Sequence, residues 1–249
     1  KFLIVELGPG DGTLCRNLIN TFKQFKNFYK ALEINLLEIS SKLKKIQKKK
    51  INNKKVRWIK KIENINFGPV VFLGNEFFDS LPIKQIYIKN QIFFEKHIAL
   101  SSNTKKIKFL NKKASKNLIK RIKELNLISI GNTIEYPLEA LKYLENIANR
   151  INKLDGGLLF FDYGYTLNEN KNTLQSIKKH KYLNVLSKPG NSDITSHINF
   201  NLFKKILNKK NLSVKKIVSQ SEFLKRLGVI ERANILSKKM TFKEKANMF

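Results

Sequence analysis

The stretch Val5-Glu6-Leu7-Gly8-Pro9-Gly10-Asp11-Gly12-Thr13 constrains this chain more than any other. An apolar run, Phe2–Leu7, leads into it. Apolar residues at Leu14, Leu18, Ile19 and Phe22, spaced as on one face of a helix, follow it. Glycine reaches positive φ without steric cost and lets a ligand approach the backbone. A strand that ends in such a turn and reopens as a helix aims the helix's first N–H groups at whatever the turn holds. Strand, glycine turn, helix is therefore the plan of a nucleotide-type site in an α/β domain. The spacing G-x-G-x-G departs from the dinucleotide pattern G-x-G-x-x-G, and by itself neither pattern selects the ligand.

The rest of the chain follows the same plan. Strands are expected at Phe2–Leu7, Ile34–Glu38, Val56–Ile59, Val70–Gly74 and Gly157–Asp162, with a late strand at Ser213–Val218. Helices are expected at Thr13–Phe25, in a Lys-rich segment capped by Ser40 or Ser41, at Tyr136–Ile151, at Phe200–Leu207 and at Glu222–Leu236. Ile86–Ile98 alternates around Asn90-Gln91 and reads as a β-hairpin. Strands alternating with helices imply a mostly parallel, twisted sheet with helices on both faces. Residues 84–135 read as an insertion after the fourth strand, within one domain spanning 1–249. The chain opens in mid-strand without a Met, so we read it as a piece of a longer protein that lacks its N-terminal segment. No apolar run approaches the roughly 20 residues that cross a bilayer, and no secretion signal is visible.

In an open parallel sheet, ligands sit at the carboxyl ends of the strands. The residues expected there are Glu6–Thr13, Glu38, Asn75-Glu76 and Asp162-Tyr163-Gly164. A carboxylate is costly to bury without a partner, so several in these places point to a ligand. Glu6 stands two residues before Gly8. A pyrophosphate disfavours negative charge there, whereas a ligand bearing an ammonium and a sulfonium prefers it. S-adenosylmethionine is such a ligand, with Gly8, Gly10 and Gly12 as its backbone cradle. Glu38, at the end of the second strand, is of the type that accepts from both ribose hydroxyls; alternatively it only steadies the start of the next helix.

Asn75-Glu76-Phe77-Phe78-Asp79-Ser80-Leu81-Pro82 follows the fourth strand, the strand end that faces the methyl group in adenosylmethionine enzymes. Methyl transfer is an in-line displacement, so alignment and desolvation of the nucleophile are the main tasks. Glu76 and Asp79 suit the fork of a guanidinium. The competing readings are a helix N-cap for Asp79 and core packing for Phe77 and Phe78. The polar loop Lys188–His197 is a candidate substrate mouth, with a structural role for His197 as the alternative. Tyr163 and Tyr165 either stack on a ligand or line the sheet edge. Cys15, in the first helix, reads as a small core residue.

The formal net charge is +30, which invites a nucleic-acid reading. Only six of the 49 basic residues are Arg, and Lys, Asn and Ile are all plentiful, as an AT-rich coding sequence produces. The densest run, Lys42–Lys55, reads as the exposed face and end of one helix. One cysteine excludes an internal disulfide and a Cys-rich zinc site. His97, His180 and His197 lack metal-ligand spacing, so no metal is expected.

Taken in order, ELGPGDGTL (6–14), LLEIS (36–40), NEFFDSLPIKQ (75–85), GLLFFDYGY (157–165), NTLQSIKKHKY (172–182), PGNSDITSHINF (189–200) and FLKRLG (223–228) resemble the MidA-type S-adenosylmethionine-dependent methyltransferases across almost the whole chain. The resemblance implies a Rossmann-like class I fold. It implies cofactor positions at Glu6, Gly8, Gly10, Gly12 and Glu38, and a methyl-transfer end at Asn75, Glu76 and Asp79, with Asn75 shared between the two. Asp162, Tyr163, Gly164, Asp193, Thr195 and His197 match or adjoin family motifs on the substrate side. It further implies a protein arginine acceptor on a respiratory complex I subunit, in the mitochondrial matrix for a eukaryotic member and in the cytoplasm for a bacterial one. The glycine motif carries Asp11 where many relatives have Arg. Two other readings stay open: a basic RNA methyltransferase on the same fold, and a non-catalytic cofactor-binding assembly factor. Against RNA stands the absence of [DN]-P-P-[FYW] after the fourth strand, the motif that holds a flipped base.

Overall fold

The computed structural model describes residues 1–101, 106–128, 133–166, 172–179, 181–187, 189–238 and 240. His180, Lys188 and the end of the chain from 241 lie outside the described residues. In chain order the elements are β1 (Phe2–Leu7), α1 (Thr13–Phe22), α2 (Lys26–Ala31), β2 (Leu32–Leu37), α3 (Ser41–Ile51), β3 (Val56–Ile59) and β4 (Val70–Asn75). Then come β5 (Lys84–Lys89), β6 (Ile92–Leu100), β7 (Ile107–Lys113), α4 (Lys116–Glu124), β8 (Thr133–Tyr136), α5 (Leu138–Leu154) and β9 (Gly156–Phe161). The remainder is β10 (Gly164–Tyr165), β11 (Gln175–Lys178), β12 (Lys181–Leu183), β13 (Asp193–Thr195), β14 (Ile198–Asn199), α6 (Phe200–Lys209), α7 (Gln220–Arg226) and α8 (Val229–Ser237).

Five strands form one parallel sheet in the order β3-β2-β1-β4-β9. The strand order reverses at β1, so the glycine turn opens at the switch point, where such sheets bind ligands. Side chains alternate across the sheet. Ile4, Ile34 and Leu36 pack on one face with Cys15 and Ile19 of α1 and Ile51 of α3. Leu3, Val5 and Leu7 alternate with Ile4 and are fully buried on the other face. There α5 packs along β4 and β9 and buries Ala140, Leu141, Leu144, Ile147, Ala148 and Ile151. Helices thus cover both faces, as the alternation of elements implies.

After β4 the chain builds an antiparallel sheet of order β7-β6-β5-β8. Asn90 and Gln91 both take positive φ, 48° and 61°, the geometry of a tight hairpin turn between β5 and β6. Two smaller pairings follow: β12-β11-β13 antiparallel, and β10-β14 parallel.

Three expected elements need correction. The first helix stops at Phe22, and the chain re-enters a separate short helix, α2, before β2. Ser213–Val218 forms no ladder: none of its residues is buried, and Lys215-Lys216 interrupts the apolar pattern, so there is no core face to pair against. The last helix is two helices, because Gly228 takes φ 81° and caps α8 in the left-handed region that glycine favours. The chain divides into two compact units, Lys1–Ser213 and Val214–Phe249; the second contains α7 and α8.

Candidate functional site

Glu6 is the penultimate residue of β1 and is 4% exposed. Its Oε2 has no hydrogen-bond partner, and burial pushes its carboxyl up to about 7. Leu7 leads into the turn, where Gly8, Gly10 and Gly12 all take positive φ, 60°, 54° and 83°. They differ in surroundings. A Cβ on Gly8 would stand 2.9 Å from Phe77 Cδ2, and one on Gly12 would stand 3.0 Å from Ile51 Cδ1. A Cβ on Gly10 would meet nothing within 4 Å. Gly8 and Gly12 therefore let the turn pack on the protein, and Gly10 leaves the turn open on its free side.

Asp11 accepts from the Thr13 N–H at 2.9 Å and from its hydroxyl, and it forms an ion pair with Lys50. These bonds hold its carboxyl below the usual range. Asp11 thus steadies the start of α1 and ties the turn to α3.

Glu38 is 6% exposed, just past β2. Its Oε1 accepts from the Ser40 N–H at 2.7 Å and its Oε2 from Gln47 Nε2 at 3.0 Å. Ser40, not Glu38, caps α3, accepting from the Leu43 N–H. Each Glu38 oxygen keeps a further lone pair. Gln47 lies inside the lysine run and was missed in the sequence reading. It is fully buried and donates also to the Gly10 carbonyl at 2.7 Å, while its Oε1 accepts from Trp58 Nε1 at 2.8 Å. Gln47 is the lone uncharged polar side chain of KLKKIQKKK (42–50), which is the signal that was available.

At the end of β4, Asn75 pairs with Phe161 of β9 and is exposed. Glu76 follows, exposed, at φ 50°, with its N–H donating to the Phe161 carbonyl at 2.9 Å. Phe77 and Phe78 are buried, with Phe78 edge-on to Phe160 and Phe203, so the core-packing reading of both is correct. Asp79 is 5% exposed and its Oδ1 has no partner. A turn, not a helix, follows Asp79, which removes the N-cap reading. Burial, and then the charge of Glu76, push its carboxyl up to about 6. Asp162 accepts from the Phe78 N–H at 3.0 Å; burial and the neighbouring Asp79 push it up to about 7. Glu76, Asp79 and Asp162 thus interact electrostatically at the ends of β4 and β9.

The segment 193–199 reaches this end through its backbone. The Ser196 N–H donates to the Asp79 carbonyl at 3.0 Å and the Ile198 N–H to the Tyr163 carbonyl at 2.8 Å. The His197 N–H donates to Thr173 Oγ1 at 2.8 Å, and Thr195 Oγ1 accepts from Gln175 at 3.2 Å. Asp193 is exposed on β13, and Tyr163 is 60% exposed. A second residue missed in the sequence reading organises this region. Glu135 accepts from Gln85 Nε2, from the Thr173 N–H, from the Thr173 hydroxyl and from the Leu174 N–H. Glu135, His197, Tyr165, Phe78 and Phe203 line a small cavity that contains no residue of the glycine turn. Cys15 is 1% exposed and its thiol is pushed up to about 12 by burial and by Glu6, the state of a core residue. Among the described residues no three His, Cys, Asp or Glu side chains are grouped to hold a metal, and no helix is long and apolar enough to cross a membrane.

These features fit a nucleoside that carries a cation. Glu6 Oε2 is a buried acceptor without a donor, Gly10 leaves its side of the turn open, and Glu38 has one lone pair per oxygen for a diol.

Residues 1–218 match the family described as "Putative S-adenosyl-L-methionine-dependent methyltransferase". The chain is 28% identical over 271 residues to the protein arginine methyltransferase NDUFAF7, mitochondrial, of Xenopus tropicalis, covering 95% of this chain and 60% of that protein. It is also 28% identical over 253 residues to the NDUFAF7 homolog of Caenorhabditis elegans, covering 92% and 58%. The chain thus spans about 60% of the length of these relatives. Its fold is similar, at TM-score 0.79 and 18% identity, to a Burkholderia thailandensis protein solved bound to S-adenosyl-homocysteine, covering 100% of this chain and 66% of that one. With the switch-point turn, the buried acceptor at Glu6 and a family match over 218 residues, the chain belongs to the S-adenosyl-L-methionine-dependent methyltransferase family.

Proposed function

We propose that this chain is the catalytic part of a protein methyltransferase that uses S-adenosylmethionine and an arginine acceptor, with a respiratory complex I subunit as the first substrate to test. The observation that carries the reading is the unpartnered, buried Glu6 Oε2 two residues before the first glycine of a turn whose middle glycine is open. It supports a cationic ligand over a pyrophosphate.

S-adenosylmethionine, when bound, supplies an electrophilic methyl on a sulfonium. Glu6 would hold the ligand's ammonium, the glycine turn its backbone-facing edge, and Glu38 the ribose diol. Asn75 and Glu76 stand at the strand end where cofactor and acceptor meet. Glu76 and Asp79 orient the guanidinium, whose flat fork matches carboxylates. A proton released by the acceptor nitrogen would be taken up by the carboxylates of Glu76 and Asp79. Asp79, with its carboxyl pushed up to about 6, is suited to hold a proton near neutral pH. Asp162 holds the Phe78 backbone and so the loop that carries Asp79. Tyr163, Asp193, Thr195 and His197 form the substrate side. The arginine acceptor rests on the acidic character of this strand end and on the named activity of the relatives.

The test is to incubate the intact protein with methyl-labelled S-adenosylmethionine and a cell extract, then identify the labelled macromolecule. Label on protein arginine supports the reading; label only on RNA overturns it.

A further inference from the structure

The residue that joins the two halves of the cofactor site is neither a glycine nor an acid. Gln47 is fully buried in α3, among lysines. Both hydrogens of its amide nitrogen are used, on the Gly10 carbonyl at 2.7 Å and on Glu38 Oε2 at 3.0 Å. Its oxygen accepts from Trp58 Nε1 at 2.8 Å. This set fixes the orientation of the amide. Turned over, it would set its oxygen against a carbonyl and a carboxylate and its nitrogen against an indole donor. Glu38 is then held by two donors, the Ser40 N–H and Gln47. Each occupies one oxygen, so the carboxylate cannot rotate without losing both.

We infer that Gln47 is a positioning residue: its amide sets the Glu38 carboxylate, and with it the edge of the glycine turn, in the orientation that takes the two hydroxyls of a nucleoside ribose. The inference deepens the adenosylmethionine reading and rests on it. Three hydrogen bonds on one buried amide, two donated and one accepted, are more than packing in a helix interior requires. A Met of the same length would fill the space with none of them. Gln47 acts through Glu38 and touches no reacting atom.

The experiment titrates intact wild-type protein and Gln47→Met by calorimetry with two probes, S-adenosylhomocysteine and its analogue lacking both ribose hydroxyls. The expected result is at least a tenfold loss of affinity for S-adenosylhomocysteine, against less than a threefold loss for the analogue. The residual loss reflects the Gly10 bond, which both probes feel. In a Glu38→Ala background, Gln47→Met then costs less than threefold for either probe. Equal affinity of variant and wild type for S-adenosylhomocysteine overturns the inference. So does the same fold-loss for both probes, which would make Gln47 a support of the turn alone. Wild-type protein that binds neither probe overturns the adenosylmethionine reading, and this inference with it. If the Met variant does not fold, Gln47→Asn takes its place. It keeps an amide but shortens the side chain by one methylene, and the same outcomes apply.

Discussion

The Phe78 N–H donates to Asp162 Oδ2 at 3.0 Å, joining residues 84 positions apart and fastening the loop after β4 to the end of β9. The bond is local in space and remote in sequence. It decides how the Glu76–Asp79 loop is held.

That bond sets the first prediction. Asp162→Asn keeps an oxygen for the Phe78 N–H and removes the charge that burial and Asp79 disfavour, so at neutral pH it is at least as stable as wild type. Asp162→Ala leaves the Phe78 N–H without a partner and is about 1–3 kcal/mol less stable than Asp162→Asn. Urea denaturation of the two variants measures the difference; equal costs would show that the bond does not matter.

Glu6 makes stability depend on pH. Its carboxyl is pushed up to about 7 in the folded chain from an ordinary 4.5. Below 4.5 both folded and unfolded chains hold the proton, and Glu6 costs nothing. Between 4.5 and 7 the unfolded chain ionises while the folded one does not, so stability falls as pH rises. Above about 7 the loss is complete, on the order of 3 kcal/mol. Glu6→Gln is therefore more stable than wild type above pH 7, equal to it near pH 4, and weaker in binding S-adenosylmethionine. Thermal melts across pH 4–8 read the first two.

Glu76 occupies a φ of 50°, where a non-glycine residue carries strain. Such positions cost roughly 1–3 kcal/mol and persist where something else requires the side chain. Glu76→Gly matches or exceeds wild-type stability by up to about 1 kcal/mol, while methyl transfer falls by at least a hundredfold and cofactor affinity is largely kept. A glycine variant that melts well below wild type, or methylates at the wild-type rate, would refute this.

Glu38→Ala weakens S-adenosylmethionine at least tenfold, because the ribose hydroxyls lose both acceptor oxygens. Unchanged affinity by calorimetry would return Glu38 to a purely structural role beside Ser40.

Glu135 carries four donors from Gln85, Thr173 and Leu174. Glu135→Ala releases them, costs at least about 2 kcal/mol, and raises hydrogen exchange at the Thr173 and Leu174 amides and, through Thr173, at His197. Exchange that stays at wild-type rates would detach Glu135 from that segment.

Much of this was legible from periodicity. The strands β1 and β3, the Asn90-Gln91 turn and the Ser40 cap all stand where local patterns put them, because each is decided by neighbours within a few residues. The failures are of another kind. Ser213–Val218 has the β-branched residues of a strand, but a strand needs a buried face, and Lys215-Lys216 breaks the one it could have formed. The helix written through Gly228 ignored one residue that favours the left-handed region. Glu6, Glu38 and the Asn75–Asp79 loop stand out as candidates because acids at strand ends are conspicuous. Gln47 and Glu135 were not, because their roles come from partners as distant as Gly10 and Thr173, which no spacing along the chain reveals.

Trp58 is the chain's single tryptophan, and its one indole N–H is given to Gln47. The same amide reaches Gly10 and Glu38. A ligand held at Gly10 and Glu38 would therefore meet the hydrogen-bond network of this chain's one indole fluorophore, and tryptophan emission is the label-free readout in which its binding would be sought.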